Sequence, residues 1–288
     1  MCAEKSYATT VRRVLITGAS GAVGSVAQKS LDRLGEIFPF DINELDVTDS
    51  KSTQHVFQNI KPTTVLHLAA ITDLNLCETN KELATQVNFY GTKNVVDSCV
   101  KSGADLIFMS SEAVFNGSKR EGYSEQAACR PQNYYGQTKL ESEIYIKKNL
   151  KKYYITRASW LYGSSVSQKL LEKLLPKLLR DEPVSVVDDK FGNPTLIKDL
   201  VETLGNIIEG KHGYGTYHIV NSGSCSRFEF ILTAAKCIGR SYLVTPTSSD
   251  TFLSNVNRGR YALLKNTKIN PLRNWKIALA EYMEEVTN

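Results

Sequence analysis

Val11-Arg12-Arg13-Val14-Leu15-Ile16-Thr17, followed at once by Gly18-Ala19-Ser20-Gly21-Ala22-Val23-Gly24, is the stretch that decides the fold. The first seven residues are a short, largely apolar run ending at a glycine, the pattern of a buried parallel strand feeding a turn. A helix is predicted from about Ala22 to Leu34. Glycines in such a turn let backbone approach a pyrophosphate and let the helix pack closely, while its first N–H groups face the phosphates. Gly18, Ser20, Gly21, Ala22, Val23 and Gly24 are therefore the first candidate cofactor-binding residues. The spacing is G-x-x-G-x-x-G rather than G-x-G-x-x-G.

Working outward, strand and helix keep alternating. A short strand near Ile37 to Phe40, shortened by Pro39, precedes a helix near Ser50 to Ile60 and the strand Thr64 to Leu68. One long helical stretch, Lys81 to Ser102, leads to the strand Asp105 to Met109; a helix near Gln132 to Asn149 leads to the strand Tyr153 to Thr156. This regularity predicts right-handed βαβ units in an α/β, doubly wound parallel sheet of Rossmann type. After about residue 160 the pattern weakens. Residues 11–160 are assigned to a dinucleotide-binding domain, to which later segments return. Residues 161–288 are assigned mainly to a small C-terminal substrate-binding lobe over the carboxyl edge of the sheet, where such sheets bind ligands.

Composition narrows the class. A chain of 288 residues, 42% hydrophobic and 23% charged, can bury a core without a disulfide or metal staple. The net charge of +5 is dispersed. Its densest run, Lys147, Lys148, Lys151 and Lys152, falls near a helix end where cations complement the dipole, and no aromatic-interleaved basic stripe accompanies it, so no nucleic-acid partner is expected. Cys2, Cys77, Cys99, Cys129, Cys225 and Cys237 show no paired spacing and no histidine cluster, which predicts reduced thiols and no metal. Met1 to Thr10 lacks a signal-peptide core, and nothing approaches about 18 continuous apolar residues. A cytoplasmic, soluble protein with no membrane partner is expected; a homodimer stays open.

The candidate chemistry follows the strand ends. Asp41, ending the second strand, is placed to meet an adenosine ribose, which favours NADH. Leu68, Ala69 and Ala70 end the third strand with residues small enough for a cofactor ribose to lie against backbone. Ser110 and Ser111 end the fourth, and Tyr135 and Lys139, four apart, share a helix face. A free tyrosine titrates near about 10, and a neighbouring ammonium would favour its phenolate, so that Tyr135 could trade a proton with a carbonyl oxygen. The serine hydroxyl could hold that oxygen in line for hydride transfer.

The segments Met109-Ser-Ser-Glu-Ala-Val-Phe-Asn-Gly117 and Tyr134-Tyr-Gly-Gln-Thr-Lys-Leu-Glu-Ser-Glu143, with the glycine spacing, resemble an extended short-chain dehydrogenase/reductase. Within that group the chain is most similar to the dTDP-4-dehydrorhamnose reductase family, from about residue 12 to the C-terminal helix. Arg157-Ala-Ser-Trp-Leu-Tyr-Gly163, Val187-Asp-Asp-Lys-Phe-Gly-Asn-Pro-Thr195 and Gly215-Thr-Tyr-His218 support this. The resemblance implies catalysis by Ser111, Tyr135 and Lys139, with Ser110, Tyr135 and Lys139 also touching cofactor. It implies Asp46 and Val47 near the adenine, Asn88 in an N-x-x-G-T segment among the cofactor-binding residues as a brace for the active-site loop, Glu112, Val114, Phe115 and Asn193 toward the substrate, Trp160 lining the sugar pocket, and Arg258 meeting the nucleotide diphosphate. The family's usual Ser-Thr-Asp-Tyr-Val-Phe reads Ser110-Ser-Glu-Ala-Val-Phe115 here, its aspartate after the third strand reads Asn75, its Arg-Pro reads Arg258-Gly259, and a serine reads Ala262.

Three readings follow. The first is reduction of the 4-keto group of a nucleotide-linked 6-deoxy sugar, with NADPH as cofactor and NADH as the alternative. The second is an epimerase or dehydratase on the same scaffold; a dehydratase needs an Asp-Glu pair where Glu112-Ala113 supplies one carboxylate. The third is a non-catalytic subunit like the regulatory β subunit of methionine adenosyltransferase. Retention of Ser111, Tyr135 and Lys139 favours the first.

Overall fold

The first strand, β1 (Arg13–Thr17), buries Val14, Leu15, Ile16 and Thr17 almost completely, as a strand covered on both faces must. A computed structural model describes residues 11–251 and 256–287. Cys2 and the Met1–Thr10 stretch lie outside the described residues. After β1 come α1 (Ala22–Ser30), β2 (Glu36–Phe40), α2 (Ser50–Ile60), β3 (Thr64–His67), α3 (Leu74–Thr79), α4 (Lys81–Ala84), α5 (Thr92–Ser102), β4 (Asp105–Ser111), α6 (Tyr134–Asn149) and β5 (Tyr153–Ala158). The second half adds β6 (Leu161–Tyr162), α7 (Leu170–Leu179), β7 (Val184–Val187), β8 (Phe191–Gly192), β9 (Thr195–Leu196), α8 (Ile197–Ile208) and β10 (Gly215–His218). The chain closes with β11 (Asn221–Ser222), β12 (Cys225–Ser226), α9 (Arg227–Cys237), β13 (Val244–Thr247), β14 (Tyr261–Ala262), β15 (Leu272–Asn274) and α10 (Trp275–Thr287).

The central sheet has six strands in the order β10-β5-β4-β3-β1-β2, every neighbouring pair parallel. The chain passes from β1 to β2 on one side and to β3 on the other, so strand order reverses at β1, and the crevice above that point is where ligands of open α/β sheets bind. Two apolar layers cover the sheet. Val23 and Ala27 of α1 and Leu200, Val201 and Leu204 of α8 cover one face; Val56 and Phe57 of α2, Val95, Val96 and Cys99 of α5 and Ile146 of α6 cover the other. A third core, with Leu171, Leu175, Phe230, Trp275 and Leu279, lies among α7, α9 and α10. The second half thus returns α8 and β10 to the sheet and builds a separate core from the remainder.

Local chemistry explains most boundaries. Asp49 caps α2, accepting from the Lys51 N–H, and Lys61 at φ +48° ends it. The strand β2 runs through Pro39 to Phe40 instead of being shortened by it. It is the sheet's edge, and Pro39 alternates with Phe38 and Phe40 so that its missing N–H faces away from β1. The stretch expected as one helix from Lys81 to Ser102 carries a π-helical segment at Thr85–Gly91, and α3 precedes it, capped by Asp73. The five described cysteines are free thiols, no group of His, Cys, Asp and Glu among the described residues is placed to hold a metal, and no described helix is long and apolar enough to cross a membrane.

Candidate active site

Gly18 adopts φ +68°, and a β-carbon on it would lie 2.8 Å from the Ala69 backbone nitrogen, so the glycine turn and the Leu68–Ala70 segment abut with no room for a side chain. A β-carbon on Gly24 would lie 2.4 Å from the Gly18 carbonyl oxygen. Gly21 caps α1 without any side-chain bond, and the first turn holds no acid. The first N–H groups of α1 are thus left for an external acceptor, which fits a dinucleotide pyrophosphate. The Thr17 hydroxyl, bonded to His67 Nδ1 at 2.7 Å, accepts from the Leu68 and Ala69 N–H groups and ties β1 to β3 beneath the turn. Burial, reinforced by the Lys139 charge, drops His67 to about 3, so this link is a neutral imidazole.

Further along the crevice, Asp41 sits half-exposed at the tip of β2, accepting from the Ile42 N–H at 2.8 Å. Asp46 accepts from the N–H and hydroxyl of Thr48, and buried Val47 packs where a β-carbon on Gly91 would come within 2.7 Å. Asn88, fully buried in the π-helical segment, accepts from the Ile71 N–H at 2.8 Å and donates to the Ile71 carbonyl and the Thr138 hydroxyl. Its amide therefore braces the loop behind Leu68–Ala70.

Ser111, Tyr135 and Lys139 converge at the carboxyl end of β4. Asn133 caps α6 through the Gly136 N–H, and the Glu78 carboxylate takes the Tyr134 N–H at 2.7 Å. Gly136 sets the approach: a β-carbon there would lie 2.1 Å from the Ala113 carbonyl oxygen, so any larger residue would push α6 from the turn after β4. That contact sets Tyr135 beside Ser111, whose hydroxyl favours the phenolate and opposes the upward shift of the phenol. Ser111 itself donates to Glu112 at 2.6 Å and accepts from the Ala113 N–H. Lys139 donates to the Met109 carbonyl at 3.0 Å, and its ammonium lies 4.7 Å from the Phe108 ring centroid and 5.9 Å from that of Tyr135.

The protonation of the pair differs from the expectation. Tyr135 is held well above its ordinary range, first by burial and then by the Glu112 charge. Burial pulls Lys139 down to about 8. Desolvation of both groups outweighs any stabilisation of a phenolate by the ammonium, so Tyr135 is a neutral acid at neutral pH. Glu112 is also raised, mainly by burial, with the Ser111 hydrogen bond opposing.

Several expected contacts go elsewhere. Ser110 and Ser111 point to opposite faces of β4, and the Ser110 hydroxyl donates to Glu143 at 2.7 Å. Glu143 is fully buried against Arg157, which donates at 2.8 and 2.6 Å, so the Ser110 side chain belongs to this ion pair and not to the crevice. Val114 is wholly buried, and Phe115 stacks on Tyr123 with ring centroids 4.3 Å apart; both are core, with no surface to offer a sugar. Asn193 donates its amide N–H to the Gly223 carbonyl and accepts from the Leu264 N–H through its amide oxygen, holding loops together.

Trp160 stays at the crevice, in a left-handed backbone conformation at φ +42°. A β-carbon on Gly192 would strike its ring at 2.3 Å, and the Arg227 guanidinium lies 5.5 Å from its centroid on the small-lobe side. Arg258 is exposed. The sequence reading missed Gly136, whose cue was a glycine in the first turn of a helix.

A parallel sheet with a glycine turn at its switch point, and a Ser–Tyr–Lys cluster where the end of β4 meets α6, defines a Rossmann-type protein of the short-chain dehydrogenase/reductase class. Residues 12–288 match the family model described as RmlD substrate binding domain, and the chain belongs to that family. It is similar to the spore coat polysaccharide biosynthesis protein SpsK of Bacillus subtilis, 30% identical over 95% of this chain and 97% of that one. It is 31% identical to the dTDP-4-dehydrorhamnose reductase of Streptomyces griseus, over 93% of this chain and 92% of the relative. The crystal structure of dTDP-4-dehydrorhamnose reductase from Bacillus anthracis in complex with NADP superposes with a TM-score of 0.89 at 34% identity, covering 96% of this chain and all (100%) of that one.

Proposed function

We propose that the chain is an NADPH-dependent reductase acting on the 4-keto group of a nucleotide-linked 6-deoxy sugar. The observation that carries the reading is the buried phenol of Tyr135, kept protonated by its surroundings beside the Ser111 hydroxyl. Two relatives named as dTDP-4-dehydrorhamnose reductases, one holding NADP, support the substrate class and the cofactor.

The open N-terminus of α1 and Lys139 are the groups that would hold NADPH, which when bound would supply the hydride to the carbonyl carbon. Ser111 orients the carbonyl oxygen, and Tyr135 transfers its proton to that oxygen as negative charge develops there, so that C=O becomes CH–OH. The Lys139 ammonium, freed from the Met109 carbonyl, is the charge positioned to stabilise the phenolate left behind. Glu112 holds the Ser111 hydroxyl in place.

The test is turnover. Purified protein with NADPH and a panel of 4-keto-6-deoxy nucleotide sugars should oxidise cofactor stoichiometrically with alcohol formed, and Tyr135→Phe should abolish this. Sugar conversion without net cofactor oxidation would establish an epimerase instead. Cofactor binding with no turnover on any sugar, together with a co-purifying synthetase, would establish a regulatory subunit.

A further inference from the structure

A helix cap needs only an acceptor. Asp and Ser close the start of a helix as well as Asn does, because the N-cap side chain has one task there, to take a backbone N–H of the first turn. At buried Asn133 that task falls to Oδ1, which accepts from the Gly136 N–H at 2.8 Å. What Asn adds is a separate donor atom beside the acceptor. Asn133 Nδ2 donates to the Asn257 carbonyl at 2.9 Å, across 124 positions of sequence.

That carbonyl belongs to the peptide unit joining Asn257 to Arg258, so the bond fixes the backbone of the loop 256–260. The loop lies on the crevice rim, since the Arg258 charge is felt at Arg227, which sits against the Trp160 ring. Its far end is seated on the segment that follows β4. There the Gly117 carbonyl accepts from the Arg260 and Tyr261 N–H groups at 3.0 and 2.9 Å. A β-carbon on Gly117 would lie 2.8 Å from the Gly259 Cα, so the two backbones meet with no side chain between them. Asn257 adds an exposed bond from its own amide to the Gln132 side chain, at 2.9 Å.

The loop therefore touches both segments that supply the reacting groups: the one after β4, which begins at Ser111, and the start of α6, which carries Tyr135. At the second contact a single side chain serves both partners. Oδ1 of Asn133 holds the first turn of the helix while Nδ2 holds the loop. We propose that Asn133 is a positioning residue for proton transfer, coupling the seating of the 256–260 loop to the alignment of Tyr135 with Ser111. This rests on the proposed keto-sugar reductase. When the loop lifts, Nδ2 loses its acceptor, and the amide turns freely about a soft terminal torsion. The cap of the turn that carries Tyr135 then loosens. A substrate that draws the loop onto the crevice thus completes the catalytic geometry from outside the reacting atoms.

The test separates the tie from the cap. Asn133→Asp and Asn133→Ser keep an acceptor for Gly136 and lose the donor to Asn257, Ser being too short to reach both; Asn133→Ala loses both. Each full-length variant, with NADPH bound, is compared with wild type by urea unfolding, amide hydrogen exchange and steady-state reduction of the keto sugar. The Asp and Ser variants should unfold at the wild-type urea midpoint, exchange faster at Arg260 and Tyr261, and keep NADPH affinity. Their kcat should fall about 3- to 10-fold, with the KM for the sugar nucleotide changed less. Asn133→Ala should lower the midpoint as well. Wild-type kcat in the Asp and Ser variants, or unchanged exchange of the loop amides, overturns the coupling and leaves Asn133 a cap. A kcat loss that comes with a lowered midpoint in both variants overturns it too. If wild type reduces no keto sugar, the reductase reading fails, and the exchange data alone decide whether Asn133 holds the loop.

Discussion

Replacing Lys139 by Met should make the protein more stable and catalytically inert. The ammonium is almost wholly buried, and its fall from the ordinary 10.5 to about 8 measures what charged burial costs. That fall corresponds to about 3 kcal/mol. Met keeps most of the aliphatic stem and its packing on Phe108, but loses the hydrogen bond to the Met109 carbonyl, worth about 1 kcal/mol. A net gain of about 2 kcal/mol at neutral pH follows. The sign with pH is fixed by linkage. Below about 8 both folded and unfolded chains carry the proton and the cost is fully present. Between about 8 and 10.5 the folded state releases it first, so wild-type stability rises with pH and the advantage of Lys139→Met fades. Urea unfolding at neutral pH and at about pH 10 reads both effects. A variant less stable than wild type at neutral pH, or an advantage that does not shrink with pH, would refute the reasoning.

Other outcomes follow from the same geometry. Glu143→Gln leaves Arg157 buried without its anion and should cost about 3–5 kcal/mol in urea unfolding, with Arg157→Met in the same chain recovering much of the loss; additive losses would contradict a specific pair. Gly192→Ala places a methyl carbon against the Trp160 ring and should raise the KM for the sugar nucleotide while leaving NADPH affinity unchanged. Glu112→Gln removes a charge that raises Tyr135, so the alkaline limb of the kcat/KM profile should move to lower pH; a limb that stays or rises would remove Glu112 from this role.

What the sequence disclosed was mostly local. A strand buried on both faces, a glycine turn and an Asp49 cap are written in neighbouring residues, and β1, α1 and α2 follow from them. Tyr135 and Lys139 share a face because helices repeat, and Ser111 reaches them because strand ends in a parallel sheet meet one edge. The misreadings arise where distant segments decide. Val114 and Phe115 look available beside Ser111, yet Tyr123, Val220 and Leu264 close over them. Asn193 looks like a ligand until Gly223 and Leu264 claim its amide. The protonation of Tyr135 depends on desolvation by the assembled fold, which no i, i+4 spacing encodes, and the bonds of Asn88 in the π-helical segment run to Ile71 and Thr138, which are far from it in sequence.

The most direct test of the account is transfer of label. NADPH deuterated at the nicotinamide C4 is incubated with a 4-keto-6-deoxy nucleotide sugar and the protein, and the product is analysed by NMR. The account predicts deuterium on the sugar C4, one per NADPH oxidised, with transfer abolished by Tyr135→Phe while that variant still binds NADPH. Product free of deuterium, or undiminished transfer in Tyr135→Phe, would contradict it.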